Sequence, residues 1–199
     1  VGAGSQIQDQ TGNLMQWDFS TSWKGISPNV AGELLPFADV VDHAFDETTG
    51  MLYVTTTDGS LHRWDTTTRT LLETWEGIAA VPKGLDISPD GLFAYVGDRV
   101  PTEDGVTVWQ VDLQNGIKTP LSFELRLQEA GVWDLTVTST GKLFFTSLVT
   151  SNNYGYRRVV DLATGEATFL TSPRHVFRMS RSADGSVVFF AEAGLHSAD

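Results

Sequence analysis

Apolar residues along this chain fall into short runs of strand length, and each run follows a turn that ends in glycine. Four such units recur: DETTGMLYVTT around Gly50, SPDGLFAYVG around Gly91, TSTGKLFFTS around Gly141 and SADGSVVFFAE around Gly185. β-Branched and aromatic residues dominate the runs, whereas Ser, Thr, Asp and Gly dominate the turns. No stretch has a convincing helical period, so the pattern predicts an all-β fold of short antiparallel strands.

A second pattern alternates with the first and ends in aspartate. The phrase TGNLMQWD at residues 11–18 is repeated as DGSLHRWD at 58–65, and weaker copies are DGVTVWQVD and YGYRRVVD. A contracted copy, AGLHSAD, follows near residue 199. A period of this length is typical of a repeat fold whose unit is one supersecondary element. The final aspartates of the first four copies are 47, 47 and 49 residues apart: Asp18, Asp65, Asp112 and Asp161.

The two patterns together predict four strands in each period of about 47 residues, joined as an antiparallel meander. The WD-like strand ends LHRWD and LMQWD, with the phrases SPDG…YV and DLATGE, resemble those of the β-propeller superfamily, in its WD-like and YVTN-type bacterial forms. The resemblance covers nearly the whole chain and implies that each period is one propeller blade. We expect one domain with whole blades at 39–79, 80–128 and 129–172 and partial blades at 1–38 and 173–199.

The strands expected at the two ends of the chain overlap instead of complementing each other. The first partial blade offers its second, third and fourth strands, and the last one offers its first, second and a possible third. Rings usually have four to eight blades, so we expect an arc that a further stretch of chain or a second polypeptide completes. A closed four-bladed ring is the alternative.

Charge and composition narrow the classes of partner. The chain has a formal net charge of −12 and no cysteine. The negative field disfavours nucleic acid and anionic lipid surfaces, and no apolar run reaches the roughly 20 residues that span a bilayer. We therefore expect no nucleic acid partner and no membrane insertion. The resemblance to bacterial surface propellers implies an extracellular or periplasmic location.

Two loops between the second and third strands of a blade are enlarged, and such loops often carry binding sites. The loop DRVPTEDG places Asp98, Glu103 and Asp104 together, which suits a hard cation such as calcium or, alternatively, a solvated acidic loop. The loop VTSNNYGY could hold a sugar or a peptide through amides and rings, or be a flexible polar loop. Its candidate residues are Asn152, Asn153, Tyr154 and Tyr156.

The first strands of the blades are expected to begin at the mouth of a central channel. Residues at these starts are Asp42, Lys83, Trp133, Asp134 and Arg178. Their mixed charges could position a polar substrate or an ion, and the alternative is a set of ion pairs and hydrogen bonds between blades.

Other conspicuous residues have a structural interpretation. The tryptophans near the ends of the third strands should pack between blades, and the aspartates that follow should cap turns. The four histidines lie on different strands without metal-ligand spacing. The tryptophans are Trp17, Trp64 and Trp109, and the histidines are His43, His62, His175 and His196.

No nucleophile elbow, phosphate-binding loop or nucleotide fingerprint occurs. The leading hypothesis is therefore a non-catalytic scaffold without a cofactor that presents its loops to a protein or a carbohydrate. Similar propellers host metal-dependent hydrolases, so the resemblance implies as an alternative a lactonase-like enzyme with a cation held by Asp42 and Asp134. A purely structural segment of a large surface protein is the third possibility.

Overall fold

The computed structural model of the 199-residue chain describes residues 7–8, 14–15, 35–151, 154–175 and 177–192. The chain divides into two compact units, Val1–Pro36 and Phe37–Asp199. In the first unit, strands β1 (Ile7–Gln8) and β2 (Leu14–Met15) pair in antiparallel fashion. The second unit holds the remaining described strands.

Three four-stranded sheets follow one another along the second unit, and a two-stranded sheet comes after them. The first sheet is β3 (Val40–Asp46), β4 (Met51–Thr56), β5 (Leu61–Asp65) and β6 (Thr70–Trp75). The second is β7 (Pro82–Ile87), β8 (Phe93–Asp98), β9 (Val106–Asp112) and β10 (Lys118–Phe123). The third is β11 (Glu129–Val137), β12 (Lys142–Val149), β13 (Tyr154–Asp161) and β14 (Ala167–His175). The two-stranded sheet is β15 (Phe177–Arg181) and β16 (Val188–Glu192).

All of these sheets are antiparallel meanders in chain order, and none closes on itself. The prediction of an all-β chain built from four-stranded antiparallel units is confirmed, and no helix occurs among the described residues. A helix long and apolar enough to cross a membrane is accordingly not found in that part of the chain. The last four-stranded sheet extends to His175, three residues beyond the expected end at 172.

The turn chemistry explains where the strands end. Asp65 accepts hydrogen bonds from the amides of Thr67 and Thr68, at 2.8 and 3.1 Å. Asp112 and Asp161 accept equivalent bonds from the second residue after each of them. A side-chain oxygen used in this way fixes a tight turn. The predicted capping role is confirmed for these three, and Asp18 lies outside the described residues.

Alternating side chains build two separate cores. Ala94 and Val96 of β8 are fully buried in a cluster shared with the first sheet, where Trp109 packs against them. Tyr95, between them in sequence, is buried in a cluster shared with the third sheet. The second sheet is thus covered on both faces, which explains its nearly continuous apolar strands. Burial of each large side chain stabilises the fold by about 2 kcal/mol.

The first strands of successive sheets lie side by side, in the order β3, β7, β11 and β15. Because each sheet is a meander, the starts of these strands lie at the same end as the connections between second and third strands. This common end, which we call the upper end, carries both enlarged loops.

Candidate functional site: a cluster of cations at the starts of the first strands

The first strand of every four-stranded sheet is irregular near its start. The register with the second strand shifts around Val41 in β3, around Lys83 and Gly84 in β7, and around Trp133 in β11. A bulge leaves residues out of the ladder and redirects their side chains, and bulges are common beside functional sites. Lys83 and Trp133 therefore leave the regular alternation of their strands at the upper end.

Close backbone approach brings the bulged strands together. Gly84 and Gly97 of the second sheet stand where the first sheet has Asp42 and Thr55. A Cβ atom on Gly97 would lie 2.3 Å from the Lys83 carbonyl oxygen and 2.4 Å from Val132 Cγ1. Only glycine fits at such a position.

A third glycine closes the gap to the loop after β8. A Cβ atom on Gly131 would lie 2.2 Å from the backbone of both Asp98 and Arg99, and the Gly131 amide donates to the Arg99 carbonyl at 3.0 Å. Arg99 and Trp133 are consequently held beside each other by main-chain contacts.

Three cations lie close to one another at the upper end, two of them over the ring of Trp133, and we call Lys83, Arg99, Arg178 and Trp133 the cation cluster. The Lys83 Nζ atom lies 5.0 Å from the Trp133 ring centroid, and the Arg99 Cζ atom lies 4.8 Å from it. Contacts of this kind orient a cation without neutralising it. Burial and the neighbouring charge of Arg178 lower the pKa of Lys83. Lys83 and Arg178 are therefore close enough for the charge of one to affect the ionisation of the other.

The two carboxylates of this region accept hydrogen bonds from backbone amides. Asp42 accepts the amide of His43 at 2.9 Å and the amide of Leu85, in the next sheet, at 3.1 Å. Its counterpart Asp134 accepts the amide of Leu135 at 3.0 Å and that of Met179, again in the next sheet, at 2.7 Å. Each carboxylate thus connects the first strands of neighbouring sheets.

The buried position of Asp134 shifts the pKa of its carboxyl group. Its side chain is buried, with 5% of the residue exposed. Burial raises the pKa of Asp134 to about 6, although the amide of Met179 and the charge of Arg178 oppose the shift. A pKa of about 6 still leaves this carboxyl mostly ionised at pH 7, so its charge acts on the neighbouring Lys83.

The cations of the cluster form no direct ion pair with any described residue. Within the described part of the chain, no carboxylate lies within salt-bridge distance of Lys83, Arg99 or Arg178. The structure brings together all five residues predicted at the channel mouth and adds Arg99. The hydrogen bonds between sheets that formed the alternative interpretation are present, whereas ion pairs among these five residues are not.

The three acidic residues of the loop DRVPTEDG lie in different environments, and the first of them is buried. Asp98 is 2% exposed and accepts the amides of Ala80, Val81 and Val100, at 2.8, 3.2 and 3.0 Å. It also accepts the indole N–H of Trp109 at 3.4 Å. Its oxygens hold the start of the loop in place.

The rest of that loop is exposed. Glu103 and Asp104 lie on a tight turn that a bridge between Thr102 and Gly105 closes. No group of three or more His, Cys, Asp or Glu side chains placed to hold a metal ion occurs among the described residues.

The second loop is described only in part. Asn152 and Asn153 lie outside the described residues. Tyr154 is 39% exposed at the start of β13. The Tyr156 hydroxyl donates to the Leu127 carbonyl at 3.4 Å, and its ring meets Phe169 edge to face at 6.0 Å. Tyr156 is therefore engaged in the structure of the third sheet.

Sequence reasoning missed two ion pairs, one partly buried and one fully buried. Arg181 of β15 donates to Asp86 of β7 at 2.9 Å, and Arg158 pairs with Glu129 within the third sheet. A charged residue at an inward-facing strand position was the available signal. Its partner could not be identified because it lies 95 residues away in the first pair and 29 in the second.

His62, in the repeated phrase, has a structural role. Its Nε2 atom lies 2.9 Å from the Thr56 hydroxyl, and its Nδ1 atom lies 3.0 Å from that of Thr74. The ring stacks on Phe37 with centroids 4.8 Å apart. Burial lowers the pKa of His62, so the neutral ring is favoured. The structural interpretation of this histidine is confirmed.

No protein-family model matches the chain, and no curated protein matches it. Among solved structures, 826 chains match. One is hydrazine synthase from Kuenenia stuttgartiensis, with a TM-score of 0.55 and 19% sequence identity over 73% of this chain and 41% of that chain. The present chain thus spans about two fifths of that protein. At this identity the similarity concerns the fold alone.

Proposed function

We propose that this chain is an arc of a β-propeller and acts as a non-catalytic binding scaffold. The supporting features are four-stranded meanders in sequence and first strands that lie side by side. The similarity to hydrazine synthase supports the fold and transfers no chemistry to this chain. The proposed binding surface is the upper end, with the cation cluster and the two enlarged loops.

The observation that carries the proposal is that the carboxylates of the upper end bind backbone amides and do not form salt bridges with the nearby cations. Asp42 and Asp134 hold backbone amides of the next sheet, while Lys83, Arg99 and Arg178 have no salt-bridge partner among the described residues. Groups left with charge but without a partner are suited to bind a ligand. A partner that bears hydrogen-bond acceptors, either a protein or a carbohydrate, fits this surface.

The geometry favours binding over metal-dependent hydrolysis. A cation held by Asp42 and Asp134 would compete with backbone amides for the carboxylate oxygens. It would also be repelled by the three cations of the cation cluster. Calcium remains a proposal for the exposed pair Glu103 and Asp104 only, and a melting temperature that responds to calcium and to a chelator would support it.

The scaffold proposal is tested on arrays of peptides and of glycans. We expect specific binding by the wild-type chain and reduced binding by Arg178→Gln. Arg69→Gln is the matched control because Arg69 lies in the turn between β5 and β6, at the opposite end of its sheet. No binding to either array, together with turnover of a lactone or an ester, would overturn the proposal.

We further propose an extracellular or periplasmic location and completion of the arc by additional chain or by a second polypeptide. The two-stranded sheet β15–β16 supports the latter, since within the described residues it has two strands where the three preceding sheets have four, and a further strand could pair with it. Small-angle scattering of the 199-residue chain should give an open, asymmetric profile. A compact ring-shaped monomer of 21.7 kDa would contradict the arc.

A further inference from the structure

We propose that the cation cluster binds a single oxyanion group, a carboxylate or a phosphate, between Lys83, Arg99 and Arg178. This inference rests on the proposed function, because it names the chemical class of ligand for the same surface.

The first argument is charge. The protein has a net charge of −12, yet Lys83 and Arg99 share one tryptophan ring and the charge of Arg178 acts on Lys83 beside them. Placing like charges together costs free energy, and an anion that binds among them removes this cost. The surrounding negative field disfavours an extended polyanion, so the favoured ligand presents one compact anionic group.

The second argument is that the nearby carboxylates are already engaged in hydrogen bonds. Asp42 and Asp134 are the acidic groups whose charges act on Lys83, and both use their oxygens for amides in two sheets. They cannot turn toward the cations without breaking the links between first strands. These carboxylates therefore act on Lys83 without forming a salt bridge to it, whereas an external oxyanion could contact the cations directly.

The third argument is preorganisation. Trp133 fixes Lys83 and Arg99 by cation–π contacts, and Gly97 and Gly131 fix the backbone that carries them. Cations already held in place lose little conformational entropy on binding. Arginine presents a planar fork of donors that matches the oxygens of carboxylate and phosphate alike.

The test uses sodium phosphate, citrate and glucuronate as probes at constant ionic strength maintained with chloride. Binding is followed by NMR through the side-chain N–H signals of Arg99 and Arg178. We expect the chemical shifts of these signals to change saturably with phosphate, with the carboxylate probes citrate and glucuronate, or with both kinds of probe. The comparison identifies the preferred oxyanion. The pKa of Lys83 should rise when the probe binds.

Variants separate the site from general salt effects. Arg178→Gln changes an exposed side chain and should weaken binding at least about tenfold, as expected when a charge-assisted hydrogen bond is lost. Arg99→Gln should do the same, whereas Arg69→Gln should have no effect. Shifts that grow linearly with concentration, or that are equal for chloride, would overturn the inference, as would equal affinities in all three variants.

Failure of this inference can be told apart from failure of the scaffold proposal. Array binding that survives Arg178→Gln and Arg99→Gln and is not inhibited by any probe would remove the oxyanion site and leave the scaffold. Saturable probe binding, together with no array partner and with turnover of a lactone or an ester, would leave the oxyanion site and remove the scaffold.

Discussion

The side chain of Asp134 connects two strands, and its burial makes the charged form of its carboxyl group less stable. Its carboxylate links β11 to β15 through the Met179 amide, and burial raises the pKa of Asp134 to about 6, above the usual 3.8. The folded protein therefore binds the proton more tightly than the unfolded chain does. The contribution of this group to stability is fully present below about pH 4 and is lost as the pH rises through 6.

Replacing Asp134 by Asn should remove this pH dependence. The side-chain oxygen of Asn can still accept the Met179 amide, but it carries no charge. The free energy of unfolding of Asp134→Asn relative to wild type should therefore increase between pH 4 and pH 7, by about 3 kcal/mol at most. Denaturant titrations across this range provide the measurement.

Asp161→Asn is the control for that experiment. The hydrogen bond from Lys142 lowers the pKa of Asp161, so its stabilisation is lost as the pH falls rather than as it rises. The relative stability of this variant should show a weak dependence of opposite sign. A constant difference between Asp134→Asn and wild type would contradict the assigned ionisation.

Sequence periodicity could identify which residues meet at the upper end, and it could not identify their partners. Asp42, Lys83, Trp133, Asp134 and Arg178 were predicted together because they occupy similar places in successive repeats. Their roles depend on distances that periodicity does not give. Whether a carboxylate meets a lysine or an amide is decided by the neighbouring strand.

At the scale of the elements, the irregular starts of the first strands determine the site. The short apolar runs predict the strands of the meanders, but they do not predict the bulges at Lys83 and Trp133. The glycines that accompany these bulges were visible in the sequence without an assigned purpose. Gly97, near the end of the buried strand β8, was the clearest signal of close backbone approach.

Gly97→Ala should destabilise the protein through steric overlap. The new methyl group would meet the Lys83 carbonyl and Val132, and neither is a flexible side-chain end. We expect a loss of about 3 kcal/mol in the free energy of unfolding, in the upper range for overpacking. Oxyanion binding should weaken as well, because β7 carries Lys83.

Gly141→Ala is the matched control, measured by the same thermal and denaturant unfolding. Nothing lies within 4 Å of a Cβ atom there, and the cost arises from its positive φ of 72°. That cost should be about 1 kcal/mol. Equal losses in the two variants would show that β7, β8 and β11 can separate without penalty.

At the scale of the whole second unit, Arg181 joins three sheets. Its Nη1 atom donates to Asp86 Oδ2 at 2.9 Å, to the Ile87 carbonyl at 2.7 Å and to the Val137 carbonyl at 2.8 Å. Asp86 also accepts the amide of Val137 and the hydroxyl of Thr136. The guanidinium thus ties β15 to both β7 and β11.

Arg181→Gln should loosen the two-stranded sheet while leaving the three larger ones folded. The buried Asp86 would lose its counter-charge, which is strongly unfavourable. Hydrogen exchange at the Met179 amide should accelerate by about tenfold or more, because this amide reports opening of β15. Exchange at Val96 and Val108 in the second sheet should change far less.

Arg69→Gln, in the turn between β5 and β6 of the first sheet, is the control and should leave exchange at Met179 unchanged. An Arg181→Gln variant with unaltered exchange at Met179 would contradict the anchoring role. Acceleration spread evenly over all sheets would show instead that Arg181 supports the fold as a whole.

The sequence by itself determined the all-β class, the four-stranded meanders and the turns capped by aspartate. These features depend on local propensity and on a two-residue alternation, both of which can be read from neighbouring positions. Only the tertiary structure decided that the carboxylates at the upper end hold amides while the cations remain without salt bridges. That outcome depends on main-chain approach between sheets about 45 residues apart, as from Asp42 to Leu85 and from Asp134 to Met179. Burial then determines which charge each side chain keeps.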